Sequence, residues 1–290
     1  MRAHRARGQG GGRHRRIVRI VDAHIHIWAK GTPRSAHRQA PYSAEQALAD
    51  MDAAGVDAAV IQPPAWDADA NAIAVDAARR YPERFAVLGN FALDAPRGAQ
   101  TLARWKSEPG MLGLRYIFNE PQHARWLAGD ELEWLWRGAE EHDIPIALAA
   151  AAYLPQVGEL AKRHPRLRLL IDHLGVPLGA TGEAAFRQLP DLVALARCAN
   201  VAVKATGVPA YAQDPYPYRS IHAPLRKIYE AFGARRFFWG TDITKMPCSW
   251  RQCVTLFTNE LPWLDHRSVM GDALCEWLDW QPRIRGQGRN

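Results

Sequence analysis

Eight short apolar or β-branched runs recur along this 290-residue chain, each followed by a longer segment with helical spacing, and no G-x-G-x-x-G turn follows any of them. That alternation predicts an α/β chain whose parallel strands close into a single-domain (β/α)8 TIM barrel, rather than a doubly wound open sheet. No linker or internal repeat divides the chain into a second unit.

The elements follow in order. A first strand is expected over 17–27, and Ser43 with Gln46 then forms a capping box that opens an alanine-rich helix over 43–54, closed by Gly55. Strands over 57–62, 85–92, 111–118 and 144–150 alternate with helices over 69–81, 97–106, 130–142 and 154–164, with Pro82 and Pro165 marking two helix exits. Strands over 168–173, 201–206 and 237–242 then alternate with helices over 183–197, 222–232 and 248–260. Gly233 closes the 222–232 helix, and a last helix is expected over 266–278.

The formal charge of +7 is local. Residues 1–19 hold seven arginines and no acid; without them the remaining 30 basic residues balance 30 acidic ones. We expect residues 1–16 to form a disordered arginine- and glycine-rich tail, 17–282 the barrel and 283–290 a short C-terminal tail. The tail has no adequate apolar segment behind it for a secretory signal, and no run of about 18 apolar residues spans a membrane. Cys198, Cys248, Cys253 and Cys275 lack CxxC spacing, which points to a reducing, cytoplasmic compartment and against a disulfide framework or zinc knuckle.

The richest segment is Val21-Asp22-Ala23-His24-Ile25-His26-Ile27-Trp28. Residues two apart in a strand share a face, so His24 and His26 project together, about 7 Å apart along the strand. A paired imidazole on a buried face serves a metal ion or a bound reactant, against the plain alternative of two satisfied core histidines. In a barrel of this kind the chemistry sits at the C-terminal strand ends. Those ends offer Gln62, Asn90, Arg115, Asp172 with His173, Lys204 and Asp242, with Tyr153 just after strand 5. Asp172, one residue before His173, is expected to point to the opposite side as a structural acid. Lys204 is expected to polarise substrate or to pair with Asp242. Arg115 is expected to orient substrate, against the alternative of an ion pair with Asp172. Trp28 and Trp66 are expected as apolar pocket walls, and the 206–221 loop, with Tyr211, Tyr216 and Tyr218, as a wall or lid. His222 is a weak candidate at the barrel mouth, and His4, His14, His37 and His266 read as solvated surface.

Taken together, His24-Ile25-His26, Asp172-His173-Leu174-Gly175, Val203-Lys204-Ala205-Thr206-Gly207 and Trp239-Gly240-Thr241-Asp242 resemble the amidohydrolase superfamily. The resemblance lies in its amidohydrolase-related branch (amidohydrolase 2), nearest the lactonases that act on sugar lactones and 2-pyrone-4,6-dicarboxylate. It covers about 18–280, including Val269-Met270-Gly271-Asp272-Ala273-Leu274, which carries Asp where the family's closing helix commonly has Asn. It implies that His24 and His26 bind metal or substrate, that Asp242 deprotonates the attacking water, and that His173 lies near the substrate carbonyl. The chemistry agrees: opening an ester or lactone needs a base for water and an electrophile for the carbonyl oxygen.

The chain departs from the family's metal-binding pattern. Strand 4 presents Arg115 where many members have lysine or glutamate. Strand 5 has no histidine, and His142 precedes it at the wrong end. Two metals are therefore not expected. One divalent ion, zinc or manganese, held by His24, His26 and Asp242, and metal-free catalysis are both open. The pyrone lactonases are taken to work without metal, and their strand 5 tyrosine is matched by Tyr153. The reading is a hydrolase acting on the ester bond of a lactone, with catalytic Asp242, His173, His24 and His26. Its substrate-binding residues are Arg115, Tyr153, Lys204, Gln62, Asn90 and Trp28. The alternatives are a metal-dependent non-oxidative decarboxylase of an aromatic acid and, more remotely, nucleic-acid binding through the arginine tail. The expected partner is a small-molecule substrate, with a second copy of the chain left open and no membrane.

Overall fold

The computed structural model describes residues 18–34, 36–94 and 98–282; the arginine-rich tail, the C-terminal tail, His4 and His14 lie outside the described residues. Eight strands stand in sequence order: β1 (Val21–Ile25), β2 (Ala58–Ile61), β3 (Phe85–Gly89), β4 (Met111–Ile117), β5 (Ile146–Ala149), β6 (Leu169–Ile171), β7 (Val201–Ala205) and β8 (Phe237–Trp239). Every ladder between neighbours is parallel. The TIM barrel read from the alternation is the fold.

Each strand lies inside its expected window, and the windows overrun the strands at their C-terminal ends. The helices are α1 (Ala44–Ala54), α2 (Ala70–Arg80), α3 (Gly98–Ala103), α4 (Gln122–Ala128), α5 (Glu133–Glu141), α6 (Leu154–Arg163), α7 (Gly182–Ala185), α8 (Leu189–Ala194), α9 (His222–Phe232), α10 (Trp250–Thr255) and α11 (Ala273–Leu278). The Ser43–Gln46 capping box forms, and Gly55 ends α1 in the left-handed conformation at φ 84°. The expected 183–197 helix is instead α7 and α8, parted by a turn at Phe186–Gln188, and α4 was not anticipated. The last two expected helices each contain a wider π-type turn, Leu256–Glu260 and Ser268–Asp272. Among the described residues no helix is long and apolar enough to cross a membrane.

Strand alternation divides the core. Ala59, Ile61, Val87, Leu169, Ile171, Val201 and Val203 pack with helix residues such as Met51, Ala74 and Leu160. Ala58, Val60, Ala86, Leu88, Ala147, Leu170, Ala202 and Phe238 form a second cluster inside the barrel, covered at its N-terminal end by Leu274, Leu278 and Trp280. Continuing that inner face upward by two residues sets Gln62, Asn90, Asp172 and Lys204 at the C-terminal mouth.

The seam between β8 and β1 is closed by a side chain. The Asp22 carboxylate accepts from Thr241 N at 2.8 Å, Thr241 Oγ1 at 2.5 Å, Trp250 Nε1 at 2.9 Å and His24 N at 2.9 Å. Just above, Asp242 N donates to His24 O at 2.8 Å. Gly240 permits this approach: a Cβ there would meet Thr206 Cγ2 at 2.6 Å and Ala23 N at 2.9 Å. The seam thus fixes Asp242 beside the histidines of β1.

Candidate active site

β1 carries a local irregularity where the histidines begin. Its register with β2 advances from Asp22↔Ala59 to Ile25↔Ile61, three residues against two, as in a bulge that re-aims side chains. His24 and His26 converge into the mouth with Nε2 atoms 3.3 Å apart and rings edge to face at 4.9 Å. Behind them, Lys204 Nζ lies 3.3 Å from His24 Nδ1, and His26 Nδ1 lies 2.5 Å from the carbonyl oxygen of Gln62.

Asp242 and His173 reach the same point from turns, not strands. Asp242 sits at φ 56°, and His173 and Leu174 are both left-handed at φ 55°. Successive non-glycine residues in that region are strained and cluster where function requires them. The Asp242 carboxylate lies 3.5 Å from His26 Nε2 and 3.8 Å from His173 Nε2. The ring of His173 is held from behind by Thr206 Oγ1, 2.7 Å from its Nδ1; the Tyr211 hydroxyl in turn donates to Thr206 O at 2.7 Å.

Four expectations need correction. Asp172 does not point away from His173: alternation from Leu170 carries it inward, and the left-handed turn then swings the imidazole over the same mouth. Lys204 pairs not with Asp242 but with Asp172, at 2.6 Å, and Asp172 also accepts from Arg115 Nε at 2.9 Å. The cation on Asp242 is Lys245, at 2.8 Å, which the sequence reading missed; its three-residue spacing from Asp242 across a turn was the available signal. His37 is no surface residue: its Nδ1 lies 2.9 Å from Thr244 Oγ1 and 3.9 Å from Asp242, and its ring packs on Trp66 and His26. His266 likewise is partly buried, its Nε2 3.2 Å from Leu261 O.

The remaining candidates are spread around the mouth. Asn90 and Arg115 line a cavity of about 440 Å³ with Pro63, Tyr116, Phe118 and Trp126. Gln62 is fully buried, and neither side-chain amide atom has a partner among the described residues. Tyr153 donates its hydroxyl to Glu120 O at 2.9 Å, in the connection that follows β4. Trp28 lines a different cleft, with Pro41, Gln46 and Ile73 against α1 and α2, and packs edge to face on Trp66. In the 206–221 loop Tyr211 and Tyr218 are buried, and His222 Nε2 is tied to Pro217 O at 2.8 Å.

Charge is arranged in two buried sets. Burial opposes ionisation of Asp242, yet Lys245, His26 and His173 hold it well below the usual carboxylate range. Burial opposes ionisation of Asp172 too, and Lys204 and Arg115 overcome it in the same way. Burial pulls His26 down to about 4 and His24 and His173 well below an ordinary imidazole. All three are therefore neutral near pH 7, fit to accept or donate a proton.

These shifts fix a sign for acid stability. Below about pH 6.5 the unfolded chain takes up protons that the folded imidazoles refuse, so stability falls on acidification. Each costs about 2 kcal/mol at pH 5. Burial pushes Asp22 up to about 7 against its four donors, so it alone works the other way, holding a proton between about pH 4 and 7 that the unfolded chain lacks. Three imidazoles outweigh one carboxyl. Denaturant melts in chelator-treated buffer should show a loss of about 2–4 kcal/mol from pH 7 to pH 5; unchanged stability would mean the histidines stay charged in the fold.

A divalent ion can be tested against the donor set. His24, His26 and Asp242 each offer an atom within 4.8 Å of the others, as do His24, Asp172 and His173. The 3.3 Å between the two Nε2 atoms and the 3.5 Å from His26 Nε2 to Asp242 match the edge of a tetrahedron of ligands at about 2.0–2.2 Å. One Asp242 oxygen is buried without a hydrogen-bond partner among the described residues. The spacing of the donor atoms therefore suits one ion, although Lys204, Arg115 and Lys245 surround them with positive charge.

A family model described as Amidohydrolase matches residues 21–284. The chain belongs to this amidohydrolase family. The amidohydrolase is 31% identical over 151 residues to an L-fucono-1,5-lactonase from Burkholderia ambifaria, covering 51% of this chain and 50% of that one. It thus spans about half the length of the curated relative it matches. Its fold is shared with an amidohydrolase from Burkholderia multivorans with bound zinc, at TM-score 0.77 and 21% identity over 90% of this chain and 99% of that one. It is shared too with a probable 2-pyrone-4,6-dicarboxylic acid hydrolase from Acinetobacter baumannii with citric acid bound, at TM-score 0.72 and 16% identity over 90% of this chain and 99% of that one.

Proposed function

We propose that this amidohydrolase opens a lactone ring by attack of water on the carbonyl carbon. The observation that carries the reading is Asp242: a buried, ionised carboxylate with one oxygen free of hydrogen bonds among the described residues, ringed by three neutral imidazoles. Asp242 takes a proton from water as its oxygen bonds to the carbonyl carbon. The ring C–O bond then breaks, and the same proton passes to the departing alkoxide, leaving a hydroxy acid. His24 and His26 hold the water, and His173 donates to the carbonyl oxygen as it gains charge. Arg115, tethered through Nε to Asp172, turns its guanidinium to the cavity it lines and orients the substrate. A divalent ion on His24, His26 and Asp242 would supply Lewis acidity to the same carbonyl.

The charge balance points to the substrate class. Of the cations at the mouth, Lys204 and Arg115 share Asp172, and Lys245 is matched by Asp242. Among the described residues little positive charge is left there for a dicarboxylate, and the Gln62 amide has no partner; that amide and Asn90 suit the hydroxyls of a neutral sugar lactone. The lactonase relative agrees with this choice. The test is a panel of sugar 1,4- and 1,5-lactones beside a pyrone dicarboxylate, each with chelator and with added zinc or manganese. Sugar lactones should open fastest; failure to open any lactone would end the proposal.

A further inference from the structure

We propose that Lys204 is a positioning residue that sets the hydrogens on the His24–His26 pair and so keeps a divalent cation from binding there tightly. An ammonium group only donates. Lys204 Nζ, fully buried, lies 2.6 Å from Asp172 Oδ1 and 3.3 Å from His24 Nδ1, so Nδ1 accepts and the His24 hydrogen sits on Nε2. That hydrogen points to His26 Nε2 at 3.3 Å, which must then accept, and the His26 hydrogen on Nδ1 goes to Gln62 O at 2.5 Å. The three contacts make one directed chain in which every donor meets an acceptor.

A cation between the rings needs the lone pairs of both Nε2 atoms. His26 offers its own, with Nδ1–H already on a carbonyl as metal-bound histidines require. His24 does not: moving its hydrogen to Nδ1 would set two donors head to head, in front of a full positive charge. The acceptor such a histidine needs is nevertheless built in. Asp172 Oδ2 lies 3.9 Å from His24 Nδ1 and is held by Arg115 at 2.9 Å. Removing the ammonium would leave a carboxylate, a histidine and a metal position in line, with Asp172 still paired. None of this depends on the substrate.

The test titrates zinc alone into the chelator-stripped full chain, by competition with a chromophoric chelator, for the native protein, Lys204→Met and Lys204→Gln. Outer-shell changes shift metal affinity about 10–100-fold. Both variants should bind one zinc at least tenfold more tightly than the native chain, and adding His24→Ala should erase the gain. In the native, metal-free protein, imidazole nitrogen NMR should find His24 protonated on Nε2 and His26 on Nδ1. Native zinc affinity equal to or tighter than that of a folded variant would overturn the proposal. A His24 hydrogen on Nδ1 would do so even if neither variant folds.

Discussion

Asp242→Asn should lower kcat by about 10²–10⁴-fold, with KM little changed. The substitution is chosen so that geometry survives. Asn is among the few residues that tolerate the left-handed backbone, and Asp242 sits at φ 56°. Its main-chain nitrogen continues to donate to His24 O, so the β8–β1 seam stays closed. What is lost is the negative charge. An amide cannot take a proton from water, and Lys245, 2.8 Å away, loses its carboxylate. Because the Lys245 amine lies near solvent at 14% exposure, that loss is far cheaper than stranding a buried cation. Steady-state kinetics on the best lactone, beside thermal melts, separates the two effects. Near-native kcat in a folded variant would remove Asp242 from the mechanism.

Asp172→Asn should cause the largest loss of stability of any single change at the mouth. Among the described residues Asp172 is the only carboxylate paired with Lys204 and with Arg115, and all three side chains are buried. Breaking a buried ion pair by removing one partner costs about 3–5 kcal/mol, because a charge is left in low dielectric with nothing opposite it. Here two cations are stranded, facing each other across an amide. For a chain of this size the melting temperature should fall by roughly 5–8 °C. A fall of less than about 2 °C would show that water reaches Lys204 and Arg115, and that the cluster is not closed as described. Arg115 depends on this acid directly for its orientation and His24 depends on it through Lys204, so the variant should lose turnover as well.

The barrel was legible because it is written in patterns with a fixed period. Runs such as Ala58–Ile61 and Val201–Ala205, spaced by helices with the Ser43 and Gly55 signals, specify parallel strands and their order. What periodicity does not encode is where a strand stops and a strained turn begins. Asp172-His173 and Thr241-Asp242 read as strand continuations, yet His173 and Asp242 sit in left-handed turns, and that difference puts Asp172 and His173 on the same side. The His24–His26 pair was legible from spacing alone, and the bulge in β1 brings the rings closer than a regular strand would. Lys245 and His37 come from connections whose path is set by tertiary contacts. Lys245 had a local signal in its spacing from Asp242. His37 had none, since it reaches the mouth only because the chain folds back through the Trp28–Tyr42 bridge and the Arg38 N–Thr244 O bond.

Whether water attacks directly can be read from one turnover. With enzyme in excess over a sugar lactone in ¹⁸O-labelled water, the account predicts one ¹⁸O in the carboxylate of the product from the first turnover. An unlabelled first product, with the heavy oxygen left on Asp242, would make that carboxylate the nucleophile and contradict its role as the base.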